Sequence, residues 1–131
     1  MDRNSGILLH PTSLPDSPIC GTFGQPARTW LNHLAESGIG VWQFLPLAPP
    51  DSFGSPYSSP SSFAFNPWLL DENDLVIEGF LDGIQENFYS KVNGCDNKVD
   101  FQFANSKVKY LSSSLVDYWD NQNTTIKKEF E

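Results

Sequence analysis

VWQFLPL, residues 41–47, is the run on which the fold reading turns. It is of strand length and almost wholly apolar, without the polar alternation of a half-exposed strand, so it reads as a strand covered on both faces. GILLH, residues 6–10, is a second burst of the same kind, closed by Pro11. The segment PTSLPDSPICGTFG (11–24) is dense in turn residues and reads as loop. A helix then opens at Gln25-Pro26, with proline at a first-turn position where its missing N–H costs nothing. Ala27, Trp30, Leu31 and Leu34 recur at three- and four-residue spacing and predict one apolar face. Gly38 falls where a helix commonly ends in a left-handed residue. Strand, helix and strand, with starts about thirty-five residues apart, make a βαβ crossover and hence a parallel sheet in an α/β fold.

Composition narrows the partners. Hydrophobic residues are 39% and charged residues 18%, which is a folding composition. The length of 131 residues suits one modest domain. A formal charge of -8 argues against nucleic acid, since little here could displace counterions from phosphates. No stretch approaches a membrane span, and the early prolines break any signal-peptide pattern. The expected setting is cytoplasmic, with Cys20 and Cys95 reduced and Asn123 unglycosylated. Nothing indicates a metal or another cofactor.

Downstream of the second strand comes APPDSFGSPYSSPSSFAFNP (48–67), an irregular excursion. Loops of this length are uncommon in compact domains unless they are functional or disordered. This one carries five serines between Ser55 and Ser62, together with Tyr57, Phe63 and Phe65, and its one charge is Asp51. It leaves the C-terminal end of a parallel strand, the edge where α/β folds place ligands. Beyond it, Asp71, Glu72 and Asp74 start a short helix that Gly79 ends. Residues 82–103 are mixed and turn-rich. Asn105 is a candidate cap for a longer helix with an apolar stripe at Val108, Leu111, Leu115 and Tyr118 or Trp119. Trp30 and Trp119 read as core, and His33 as a surface or packing residue. Two parallel strands cannot close a sheet, whereas a (β/α)8 barrel takes about 250 residues.

RNSGILLHPTSLP, VWQFLPLAPP and GSPYSSPSSFAFNPWLLD, in that order, resemble the N-terminal segment of the 4-α-glucanotransferases, the amylomaltases or disproportionating enzymes of glycoside hydrolase family 77. The resemblance runs from about Arg3 to Leu81 and weakens afterwards, apart from VDF at 99–101. It implies the opening of a (β/α)8 barrel, with residues 1–81 as the first two βα units and 48–67 as a substrate loop. Residues 82–131 would begin an inserted helical subdomain. The implied enzyme is a cytosolic one that cuts an α-1,4-glucan, as in starch, glycogen or maltodextrin, and passes the piece to another sugar, with no cofactor.

The resemblance places Tyr57 against the sugar beside the cleaved bond, with Ser55 and Pro56 shaping the approach. His10 is read as an orienting hydrogen-bond donor rather than a catalyst, and Asn66, Phe63 and Phe65 as loop supports. Taken from the residues alone, Tyr57 reads as a packed loop tyrosine sooner than as a ligand contact, and it is the resemblance that reverses this. Relatives often carry a tyrosine and an aspartate just before the SPY motif, where this chain has Asp51-Ser52-Phe53-Gly54. The two carboxyl groups that retaining transfer requires stand, in the family, on strands beyond residue 131. The chain is therefore expected to hold no catalytic acid and to be inactive by itself. The alternative is a non-enzymatic carbohydrate-binding module using the same aromatic and serine loop.

Overall fold

The structure, a computed structural model, describes residues 4–17, 19–84 and 98–122. Cys95, Asn123 and most of the turn-rich segment lie outside them. Two strands, β1 (Gly6–Leu8) and β2 (Val41–Gln43), pair in parallel, with Gly6 opposite Val41 and Leu8 opposite Gln43. Helix α1 (Gln25–Glu36) lies between them in sequence, so the βαβ order is as the pattern predicts. Gly38 ends the helix at φ 68, a left-handed conformation that glycine adopts without strain.

Both strands are shorter than their apolar runs. One more ladder bond forms, from Leu9 N to Gln43 O at 3.0 Å. Then His10 turns the first chain into a 3-10 turn over Pro11–Ser13, and Pro46 offers the second no N–H. Coverage on both faces is not met either: Leu8, Val41 and Phe44 are exposed among the described residues, where each strand has one neighbour. Trp42 is half-buried and its indole Nε1 donates to Leu9 O at 2.8 Å, while Gln43 is exposed. On α1 the predicted stripe is narrower than expected. Ala27 and Leu34 are buried, Trp30 is half-buried, and Leu31 faces solvent.

The core lies elsewhere than the sheet. Ile19, Cys20, Trp68 and Ala104 cluster, with Val99, Phe103 and Val108 packed against them. The turn-rich loop 11–24 thus contributes core residues that its composition disguised, including Pro11, Leu14, Ile19 and Cys20. Cys20 is a free, buried thiol. Helix α2 (Glu72–Ile77) is capped by Asp71, whose carboxylate accepts from Asp74 N at 3.2 Å and from the Thr22 hydroxyl, and Gly79 closes it at φ 77. Helix α3 (Phe101–Asn121) begins five residues earlier than a cap at Asn105 would set it. Asp100 has the extended backbone of a cap and accepts from Phe103 N at 3.0 Å, whereas Asn105 sits within the helix and accepts from Trp68 Nε1. Along α3, Ala104, Lys107 and Leu111 are buried, with Val108, Leu115 and Tyr118 partly so. Tyr118 meets Phe80 edge to face, whereas Trp119 is exposed and is not a core residue. Among the described residues no helix is long and apolar enough to cross a membrane.

Glu72 gives the fold a pH dependence. Burial pushes its carboxyl above the usual glutamate range, Lys107 opposes this, and Asp71 adds to it. The folded state therefore keeps its proton to higher pH than the unfolded chain, whose glutamate titrates near about 4.3. The stabilisation present below that value is lost as pH rises through the folded pKa. Glu72→Gln does not titrate. Its urea midpoint is expected to gain on the native protein's as pH goes from about 4 to 7, and a gap that stays constant would contradict this.

Candidate functional site

The segment after β2 is a loop with its ends tied together and its interior stapled. Asn66 N donates to Leu47 O at 3.2 Å, closing the base. Asn66 is buried, and its side-chain oxygen accepts from Trp68 N at 3.0 Å, starting the 3-10 turn Pro67–Leu69 that sends Trp68 and Leu69 inward. Asp51 folds the next turn: its Oδ1 accepts from Phe53 N and Ser55 N, both at 2.9 Å, while Asp51 N donates to Ser55 O. Most of the serine density is turn chemistry of the same kind. Ser59 Oγ donates to Ser61 O and accepts from Ser61 N, and Ser61 Oγ accepts from Ala64 N.

Gly54, at φ 83, lets the loop approach α3. A Cβ there would lie 2.5 Å from Cζ of Phe101, and Phe101 stacks on Trp68 at 5.4 Å between ring centres. The start of α3 therefore braces the loop directly. Sequence reasoning missed Phe101; its place in the VDF element was the available signal, but no periodicity ties it to a glycine 47 positions earlier.

From this braced base the loop presents rings to solvent. Ser55 and Pro56 are half-buried, and Tyr57 beside them is 72% exposed. Phe53, Phe63 and Phe65 are 87%, 97% and 92% exposed. Phe63 and Phe65, read as supports, pack beneath nothing among the described residues. His10 lies at the same strand-end edge. Its Nε2 stands 3.4 Å from Pro46 O and its Nδ1 2.8 Å from Thr12 Oγ1. Burial lowers its pKa, and the bond to the Pro46 carbonyl raises it by less. A neutral ring with its proton on Nε2 fits both contacts: it donates to Pro46 and accepts from Thr12, linking the ends of the two strands. No group of three or more His, Cys, Asp or Glu could hold a metal among the described residues.

Flat apolar faces, neutral hydroxyls and backbone groups, with one acid already committed to a turn, suit a ligand that is itself neutral, hydroxylated and apolar on its ring faces. A family model described as 4-alpha-glucanotransferase matches residues 9–131. The chain belongs to the 4-alpha-glucanotransferase family. A 4-alpha-glucanotransferase of Synechocystis sp. is 48% identical over 130 residues, covering 98% of this chain and 25% of that protein. One of Thermus thermophilus is 46% identical over 81 residues, covering 62% of this chain and 16% of that protein. Among solved structures, the amylomaltase from Streptococcus agalactiae in complex with acarbose superposes with a TM-score of 0.80 at 33% identity, over 98% of this chain and 26% of that one. The chain spans about a quarter of the length of the relatives that it matches nearly end to end. Each of these 4-alpha-glucanotransferase relatives is named as an enzyme, which leaves the binding-module alternative without support.

Proposed function

We propose that these residues open the (β/α)8 barrel of a 4-α-glucanotransferase, with 1–81 as its first two βα units and 82–131 as the start of an inserted helical subdomain. In this reading the enzyme moves part of an α-1,4-glucan to a new acceptor in the cytoplasm, and loop 48–67 is one wall of its sugar site. Retaining transfer uses one carboxylate as nucleophile and a second carboxyl, about 5–5.5 Å away, as acid and then base. Those two groups are carried by later strands. The present segment binds and orients: Tyr57 lies under the sugar next to the scissile bond, and Ser55 and Pro56 set its approach. Asn66 holds the loop base and His10 ties the two strand ends.

The observation that carries the reading is the braced, neutral loop with Tyr57 exposed at the C-terminal edge of two parallel strands, in a chain of this family. Bracing matters because a loop already ordered loses less entropy when sugar binds. The acarbose complex of the streptococcal amylomaltase supports a maltooligosaccharide-like ligand for this site. Maltotriose is the test substrate. The 131-residue chain is expected to leave it unchanged, and a polypeptide extended to the relatives' length to yield both shorter and longer glucans. Turnover by the short chain would overturn the placing of the acids. An inert long one would overturn the activity.

A further inference from the structure

A cavity of about 380 Å³ lies where the 15–30 segment faces the start of α2, lined among others by Ile19, Gln25, Trp30, Glu72, Ile84 and Lys107. None of the loop residues 51–65 reaches it. Among the described residues two buried side-chain polar atoms lack a hydrogen-bond partner, Trp30 Nε1 and Glu72 Oε1, and both belong to residues of this wall. Glu72 as a whole is only 6% exposed. An orphaned buried polar group is destabilising, so folds seldom keep two beside one cavity without something to complete them.

The two orphans are of opposite kind. The indole can only donate and a carboxylate can only accept. A hydroxyl answers both, accepting from Trp30 and donating to Glu72; both atoms are shielded from solvent, so each side chain must turn toward the cavity to meet it. Charge selects further. An anion would face the carboxylates of Asp16, Asp71 and Glu72, and a cation would face the buried Lys107 ammonium, which already donates to Trp68 O at 3.1 Å and Leu70 O at 2.8 Å. A neutral ligand meets neither repulsion. Ile19, Pro26, Ile84 and the Trp30 ring supply apolar surface for C–H groups, and the volume is at the low end of small-molecule sites. We propose that this cavity is a second binding site, separate from the Tyr57 loop, for a small neutral polyol of about one ring in size.

The four tryptophans make the test direct, because each indole N–H gives its own nitrogen–proton resonance. In the labelled 131-residue chain, D-glucose is expected to shift the Trp30 indole resonance along a saturating curve. Maltotriose distinguishes a free sugar from a glucan end: saturation by maltotriose alone would assign the site to chain ends while keeping the ligand class. Glu72→Met keeps the volume but removes the acceptor. It is expected to weaken binding at least tenfold while leaving thermal stability equal or higher, since a desolvated carboxyl is lost. Tyr57→Ala is expected to leave the shift unchanged. A linear drift with both sugars, a shift abolished by Tyr57→Ala but kept in Glu72→Met, or a spectrum without native dispersion would each overturn the proposal.

Discussion

Gly21→Ala is expected to unfold the protein or lower its stability by at least about 3 kcal/mol. The backbone of Gly21 is pressed against the 3-10 turn that follows β1. Its N–H donates to Thr12 O at 2.8 Å. A Cβ would overlap Pro11 O outright and lie 2.8 Å from Leu14 Cβ and 2.9 Å from Leu14 N. These neighbours cannot yield: two of the three atoms are backbone, and Pro11 and Leu14 are buried. Displacing the turn would pull His10 from Pro46, and moving Gly21 instead would drag Cys20 from the core cluster. Gly83→Ala is the control, since nothing lies within 4 Å of a Cβ there, and it should change stability by no more than about 0.5 kcal/mol. Urea unfolding of both variants measures the difference; similar midpoints would show that the turn is not rigid.

The same contact shows why the fold was only partly legible. Element order, the parallel sense of β1 and β2, the proline start of α1 and the glycine stops at Gly38 and Gly79 could all be read, because each depends on residues close in sequence. The core could not. Ile19 and Cys20 sit in a proline-rich stretch whose local chemistry says loop, and they are buried only because α3 and Trp68 arrive from far along the chain. Lys107 shows the same failure on a helix. Its charge marks it as solvent-facing, yet it is 3% exposed because the 3-10 turn Pro67–Leu69 and its cap leave two carbonyls, Trp68 O and Leu70 O, pointing at α3. The cap of α3 went to Asp100 rather than Asn105 for a related reason. Asn105 reads as a cap until Trp68 is known to claim its side chain.

The candidate site divides in the same way. Tyr57, Ser55 and Pro56 are picked out by the resemblance of a short local motif, while the residues alone show an aromatic and hydroxyl loop whose one charge is Asp51. What makes that loop firm is not local: Asn66 closes it on Leu47, and Phe101 fills the space that Gly54 leaves. A helix assigned to a different part of the chain thus holds the wall on which the proposed sugar contact stands.

Tyr57→Ala, made in a polypeptide of the relatives' length, is expected to lower kcat/KM for maltotriose by about tenfold to a hundredfold, about 1.4–2.7 kcal/mol of transition-state binding. Stability should hardly change. Tyr57 is 72% exposed, and the bonds that order the loop run through Asp51, Ser59, Ser61 and Asn66 rather than through its ring. A large kinetic loss without a shift in unfolding midpoint therefore separates binding from folding. Tyr57→Phe retains the flat face and loses the hydroxyl, so it should keep most of the activity if the ring carries the contact. Phe63→Ala tests whether exposure alone is enough, because Phe63 is still more exposed at 97% and is expected to have the smaller effect. Native kinetics in Tyr57→Ala would remove this tyrosine from the site. An equal loss in Phe63→Ala would mean that the whole aromatic ledge binds sugar without a privileged position beside the reacting bond.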